Sequence, residues 1–245
     1  MTETIENRRD WRVHWNAVGE WAGPLDFMEQ VKRTVCGQPM SASQVVLSAE
    51  VARTALDLDQ SDIVLDLGCG NGLVTIRLAE ACRAVYAVDY SQDLIEIARR
   101  HYAAPNLTYV HCEATELTAA QLDNLRPSKV AMIAGLQYFT VAMLERLLAT
   151  IGTLTDGSAP VFFSDVPDVD HIQDFYNTPA RWAYYEQQRA MGTEPMGTWW
   201  DRRHLAELLR SAGYAAEFRR QAANRYAAYY HRFDLLARPA RGANH

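Results

Sequence analysis

The chain is nearly without lysine: Lys32 and Lys129 stand against 22 arginines. With the abundant alanine, this bias points to a GC-rich bacterial genome and says nothing of mechanism. Cysteine is scarce as well. Cys36, Cys69, Cys82 and Cys112 show no C-x-x-C spacing, so free thiols in a reducing cytoplasm are expected. No run of 18 apolar residues occurs, so no helix is expected to cross a membrane. Met1 to Asp10 is polar and charged, unlike a secretory leader. There is no internal repeat and no low-complexity tract. The net charge of −6 disfavours a nucleic-acid partner. That charge is uneven: residues 1–179 carry −11, whereas residues 180–245 carry +5 with 11 arginines. Such an arginine-rich part can pair with an anionic group or be an ordinary solvated face.

What is present fits one domain with additions, at 245 residues and 49% hydrophobic content. The informative stretch is Val64-Leu65-Asp66-Leu67-Gly68-Cys69-Gly70-Asn71-Gly72. An apolar run ends in an acid, then in glycines, and a helical pattern follows. That is a strand, a tight turn and a helix start, where backbone approaches a ligand closely. A dinucleotide fingerprint wants a third glycine where Leu73 stands, and a Walker A loop wants Gly-Lys-Ser/Thr, which is absent. A second strand, Ala84 to Asp89, also ends in an acid, 19 residues after Gly70, at the spacing of a ribose-binding carboxylate.

The D-x-G-x-G-x-G pattern with Asp89 resembles the first motifs of the class I S-adenosylmethionine methyltransferases. The likeness covers about residues 62–237 and is strongest over 62–115. It implies a doubly wound α/β fold, with a seven-stranded, mostly parallel sheet and an antiparallel last strand. Four regions are expected: an N-terminal helical lid (1–60), a cofactor-binding core (61–164), an aromatic-rich acceptor-lid insertion (165–200), and a final helix with the last two strands (201–245). Strands are expected at 62–67, 84–89, 107–112, 129–134, 159–164, 214–221 and 226–237, with Ala222 to Arg225 between the last two. Helices are expected at 42–56, 72–82, 91–102, 119–124, 141–151 and 201–212.

In open α/β sheets ligands bind at the carboxyl ends of the strands. Gly68, Cys69, Gly70 and Asn71 would then lie against S-adenosylmethionine, with Asp66 on its ammonium, Asp89 on the ribose and Tyr90 on the adenine face. The resemblance places Glu113 on the adenine amine, Ala114 N–H on the ring, and Gln137 and Tyr138 near the sulfonium or the acceptor. Asp165, Asp168, His171 and His14 are the candidate bases, needed if a hydroxyl is the acceptor. No second acid cluster supports a metal. All six tryptophans read as lying outside the sheet core, and Trp15, Tyr138, Tyr176, Trp199 and Trp200 are expected to wall the acceptor. The N-P-P-Y and Pro-Cys motifs of base methylation are absent, which points to a small-molecule acceptor. Two further stretches, Thr34 to Ser41 and Met196 to Trp200 with Tyr230 to Asp234, resemble bacterial methyltransferases of polysaccharide or specialised-metabolite pathways.

The expectation is therefore a cytoplasmic enzyme, monomer or homodimer, that methylates a hydroxyl of a sugar or natural-product intermediate and releases S-adenosylhomocysteine. Methylation of a small amine and non-catalytic binding of the cofactor are the rivals. A nicotinamide oxidoreductase is disfavoured by Leu73.

Overall fold

Apolar runs that end in an acid or a small residue build the centre of the molecule. A computed structural model describes residues 3–35, 38–223 and 228–240. Among these residues seven strands form one sheet: β1 (Ile63–Leu67), β2 (Ala84–Asp89), β3 (Leu107–His111), β4 (Lys129–Ile133), β5 (Val161–Pro167), β6 (Tyr214–Arg220) and β7 (Arg232–Pro239). Their order is β3-β2-β1-β4-β5-β7-β6. The first five run parallel, and β7 lies antiparallel between β5 and β6.

Alternation along β1 divides the core in two. Val64 faces α4 (Ala42–Leu56), α5 (Thr75–Ala79) and α6 (Gln92–His101), through Val45, Ala52, Leu78 and Ile95. Leu65 and Leu67 face α7 (Val141–Thr155) and α10 (Arg202–Ser211), through Leu147, Ile151, Leu205 and Leu209. Parallel strands covered by helices on both faces make the expected doubly wound α/β sheet. No described helix is long and apolar enough to cross a membrane.

The remaining helices sit over the carboxyl ends of the strands. On one side are α1 (Trp11–Trp15), α2 (Val18–Trp21) and α3 (Phe27–Gln30). On the other are α8 (Ile172–Phe175) and α9 (Pro179–Met191).

Several boundaries moved for physical reasons. The helix expected at 72–82 shrinks to α5, because Gly72 is held at φ 81° and a Cβ there would strike the Tyr109 hydroxyl. α4 belongs to the sheet layer, so the covering part of the region 1–60 is confined to residues before it. β5 runs past the boundary expected at Ser164, because Val166 and Pro167 still pair with β7 beyond a bulge. The last strand starts at Arg232 instead of Tyr226. Cys36, Gly37, Asn224, Arg225 and Tyr226, which figured in the sequence reading, lie outside the described residues.

Trp200 overturns the expectation that every tryptophan avoids the sheet core. It is fully buried in the larger core cluster, with its backbone N–H on Pro167 O at 2.9 Å. Trp199 is also fully buried, but in a separate core with Val169, Ile172, Tyr176 and Tyr185.

Candidate functional site

The glycine loop after β1 is shaped by left-handed backbone. Gly68, Gly70 and Gly72 have φ of 69°, 56° and 81°, a region other residues enter at a cost. Gly68 and Cys69 both donate backbone N–H to Val88 O, at 2.8 and 3.1 Å, which ties the loop to β2. Asp89 completes the tie. Its Oδ2 accepts from Gly70 N at 2.8 Å and its Oδ1 from Ser91 N at 2.9 Å. Around Gly68 a Cβ would meet nothing within 4 Å, so the loop faces open space there.

That space is a cavity of about 980 Å³. It runs from the loop, past Asp89, Tyr90, Glu113 and Ala114, to Gln137, Tyr138 and Asp165. His14 and Trp15 line it from the N-terminal side. All ten residues expected at the cofactor therefore sit at one cavity, together with His14, Trp15, Tyr138 and Asp165.

Asp66 is buried and accepts from the Thr75 hydroxyl at 2.6 Å. Burial, aided by the nearby Asp89, pushes its carboxyl up to about 7. A desolvated acid of this kind fits the ammonium of S-adenosylmethionine, which would restore its charge. The open backbone at Gly68 fits the flat passage of the methionine part. Burial also raises Asp89, although its two backbone hydrogen bonds oppose the shift. Cys69 is pushed far up by burial and is an inert thiol here.

Two of the residues expected at the cofactor are engaged with other protein groups. The Asn71 amide donates to Phe27 O at 2.8 Å and Gln30 Oε1 at 2.9 Å, so it anchors α3 and its amide N–H groups are not free for a ligand. Glu113 is paired with Arg12 Nε at 2.7 Å. The cover is fastened twice more: Tyr90 OH donates to Trp11 O at 2.9 Å and Ser91 Oγ to Trp15 O at 2.7 Å. Trp11 and Trp15 meet Tyr138 edge-on, at 4.6 and 5.4 Å between ring centres, and form an aromatic wall.

At the other end of the cavity, the bulge between Phe163 and Val166 contains Asp165 with φ 62°. Bulges commonly re-aim a side chain beside an active site. Asp165 N donates to Asp234 Oδ1 at 2.9 Å, and its Oδ1 accepts from Gln221 at 3.2 Å. Arg232 bonds the Asp165 carbonyl and brings Nε to 3.8 Å from the carboxylate. Burial opposes the charge on Asp165, but Arg232 and Arg33 outweigh it and hold the carboxyl below the usual range.

Five expected site residues are not among those lining the cavity. Asp168 is buried, pairs with Arg202 and caps the turn at Asp170. His171 points its Nδ1 at Asp174, 2.6 Å away. Tyr176 donates its hydroxyl to the buried Glu194 at 2.6 Å. Trp199 and Trp200 pack in the two cores described above. Their neighbours Gly197 and Thr198 instead position the segment after β4. Thr198 N donates to Gln137 O at 2.7 Å, and its hydroxyl to Phe139 O at 2.6 Å. A Cβ on Gly197 would strike the Gln137 carbonyl.

His14 reaches the cavity but is ill suited to take a proton. Its Nδ1 lies 3.0 Å from Arg9 Nη2, and arginine can only donate, so the acceptor nitrogen is occupied. Burial, with Arg9 and Lys32, lowers the ring to about 4.

Arg33, Arg181, His231 and Arg232 also line the cavity and have no site role from the sequence, although His231 and Arg232 fall within the Tyr230 to Asp234 stretch singled out there. A signal existed for two. β7 is antiparallel, so it begins at the end where the parallel strands stop, and His231 and Arg232 stand at that beginning. Arg33 carries no motif.

Comparison with known proteins agrees with this geometry. Residues 64–156 match the family described as methyltransferase domain. The "Probable cobalt-precorrin-6B C(15)-methyltransferase (decarboxylating)" of Methanocaldococcus jannaschii is 37% identical over 81 residues, 33% of this chain and 43% of that protein. N-demethylindolmycin N-methyltransferase of Streptomyces griseus is 38% identical over 101 residues, 40% of this chain and 42% of the relative. The chain thus spans less than half the length of these curated relatives. Among solved structures, magnesium protoporphyrin IX methyltransferase of Synechocystis PCC 6803 with bound SAH superposes with a TM-score of 0.61 at 16% identity, over 93% of this chain and 97% of that one. Sheet order, glycine loop and matched segment agree: residues 64–156 match a methyltransferase domain, set in the seven-stranded doubly wound sheet that the class I resemblance implied.

Proposed function

We propose that the protein transfers the methyl group of S-adenosylmethionine to a hydroxyl oxygen of a small-molecule acceptor, such as a sugar or natural-product intermediate. The supporting observation is one cavity whose walls include both the Gly68–Gly70 loop and Asp165. The bound cofactor supplies an electrophilic methyl on a positively charged sulfur.

The residues of the chain divide the remaining work. Asp66 holds the ammonium, Asp89 the ribose hydroxyls, and Ala114 N–H the adenine ring. Glu113 takes the adenine amine once Arg12 lets go. Trp11, Trp15 and Tyr138 exclude water and hold the acceptor against the methyl, where proximity alone contributes several kcal/mol. Asp165 accepts the hydroxyl's hydrogen bond. Its carboxyl is held below the usual range, so it is ionised throughout neutral pH. The unpaired described cysteines Cys69, Cys82 and Cys112 suit a cytoplasmic protein, acting as monomer or homodimer.

Calorimetry with S-adenosylhomocysteine tests the donor, with micromolar binding expected; no heat sinks the reading. Transfer of labelled methyl to a panel of phenols, sugars and amines tests the acceptor. Asp165→Ala should remove transfer to hydroxyls while leaving S-adenosylhomocysteine binding intact.

Likeness to an N-methyltransferase over 101 residues favours a second reading, methylation of a small amine. An amine arriving neutral needs no base. Activity on amines that survives Asp165→Ala would favour this reading over the first.

A further inference from the structure

The cavity is basic in a chain that is acidic overall. Eight Arg and Lys line it against five Asp and Glu, although the whole chain carries −6. The imbalance is also directional. Asp66, Asp89 and Glu113 stand at the strands that serve the cofactor, and Asp10 comes from the N-terminal cover. Five basic side chains, Arg8, Arg9, Arg12, Lys32 and Arg146, nearly balance those four acids, whereas around Asp165 the excess is concentrated: Arg33, Arg181 and Arg232 line that end with a single lining carboxylate among them. Asp234 sits behind Asp165, buried, bonded to its backbone N–H and to Gln221, and burial lifts it to about 6.

Arg33 bonds Ser48 through one nitrogen at 3.2 Å, and burial opposes its charge. Arg181 lies over the Phe175 ring at 4.9 Å. Arg232 is shared between the carbonyl and the carboxylate of Asp165. One carboxylate cannot neutralise three guanidinium groups; Arg181 is exposed and also bonds Asn177, but Arg33 and Arg232 are largely withdrawn from water, and their excess charge calls for an anion. The neighbouring His231, lowered by burial and by Arg232 to about 3, adds no positive charge.

From this arrangement we infer that Arg33, Arg181 and Arg232 form a subsite for an anionic group, carboxylate or phosphate, on the methyl acceptor. Asp165 beside it receives the hydroxyl, so the acceptor class is a hydroxy acid or a phosphorylated alcohol. The inference rests on the methyl-transfer reading. The same anion chemistry has a second source, the carboxylate of the cofactor itself, and Arg33 is the arginine within electrostatic reach of Asp66.

The test uses the full chain saturated with S-adenosylhomocysteine. Calorimetric titrations compare 4-hydroxybenzoate, its neutral isostere 4-hydroxybenzamide, and inorganic phosphate. An anion should bind, with 4-hydroxybenzoate about tenfold tighter than the amide, as expected for a charge-assisted pair. Arg181→Gln and Arg232→Gln should each erase most of that preference without changing affinity for S-adenosylhomocysteine. Asp165→Asn should move the other way and tighten the anion several-fold. Asparagine adopts left-handed backbone as readily as aspartate, so this variant keeps the fold even if Arg232→Gln does not.

Failure of the loaded protein to bind either anion overturns the subsite, as does a preference that survives both arginine variants. Arg33→Gln that weakens S-adenosylhomocysteine and spares the anion assigns Arg33 to the cofactor and overturns its place here. Failure of wild type to bind S-adenosylhomocysteine is a different result, and overturns the methyl-transfer reading along with the subsite.

Discussion

Arg12 Nε lies 2.7 Å from the Glu113 carboxylate, and the pair fastens α1 to the loop after β3 at the edge of the cavity. Arg12 is 62% exposed, so its hold is weak and salt-sensitive. A cofactor whose adenine amine takes Glu113 must displace it. Arg12→Gln is therefore expected to tighten S-adenosylhomocysteine by roughly twofold to fivefold, the range of a surface pair. Glu113→Gln should weaken it. Calorimetry in low and in 0.5 M salt checks both; a loss of affinity in Arg12→Gln would show that the cover helps to hold the ligand.

Asp89 supports the loop before any ligand arrives, through Gly70 N and Ser91 N. Asp89→Ala should weaken S-adenosylhomocysteine by about 1–3 kcal/mol, since a charged acceptor and a loop anchor are lost together. It should also lower the Tm, whereas a residue that met only the ribose would not. Gly70→Val should abolish binding. Its Cβ would sit 2.9 Å from Val31 Cγ1, on backbone at φ 56° that branched residues avoid.

Much of this cavity is legible in the sequence, because the part proposed for the cofactor is written locally. A strand that ends in an acid and then in glycines announces itself, and Asp89 follows at a fixed spacing. The part proposed for the acceptor is assembled by topology instead. Asp165 is aimed by a bulge, Arg232 arrives on an antiparallel strand far along the chain, and Arg33 comes from the N-terminal cover. Aromatic content misled at Trp199 and Trp200, which fill the two cores, because composition does not reveal which side of a lid a ring faces. Asn71 lines the cavity, but its amide bonds to Phe27 and Gln30 are not legible from the sequence because those partners are remote along the chain.

Asp168 separates a structural acid from a chemical one. It is buried, paired with Arg202, and accepts from Asp170 N at 3.2 Å. Its backbone N–H reaches His231 O at 3.0 Å, so it fastens the insertion to the start of β7. Asp168→Ala should cost about 3 kcal/mol of stability by stranding Arg202. In the fraction that remains folded, the KM and kcat of methyl transfer should hold steady. A kcat collapse at unchanged Tm would return Asp168 to the list of bases.

Asp66 gives the protein a pH dependence whose sign follows from burial. Its carboxyl titrates near 7 in the folded chain, against about 4 when unfolded. Between those values the native state keeps a proton that the unfolded state has lost, so this group's contribution to stability falls as pH rises. Ligand binding reverses the preference. The proposed pairing with the ammonium of S-adenosylhomocysteine requires Asp66 ionised, so complex formation below pH 7 should expel a proton. Affinity should then fall towards about tenfold for each pH unit below 7, and level off above it. Titrations at pH 6 in two buffers of different ionisation enthalpy should show close to one proton released, and Asp66→Asn should bind weakly at every pH with no proton released. Affinity that is flat from pH 5.5 to 8 in the wild-type protein would show that Asp66 does not carry the ammonium.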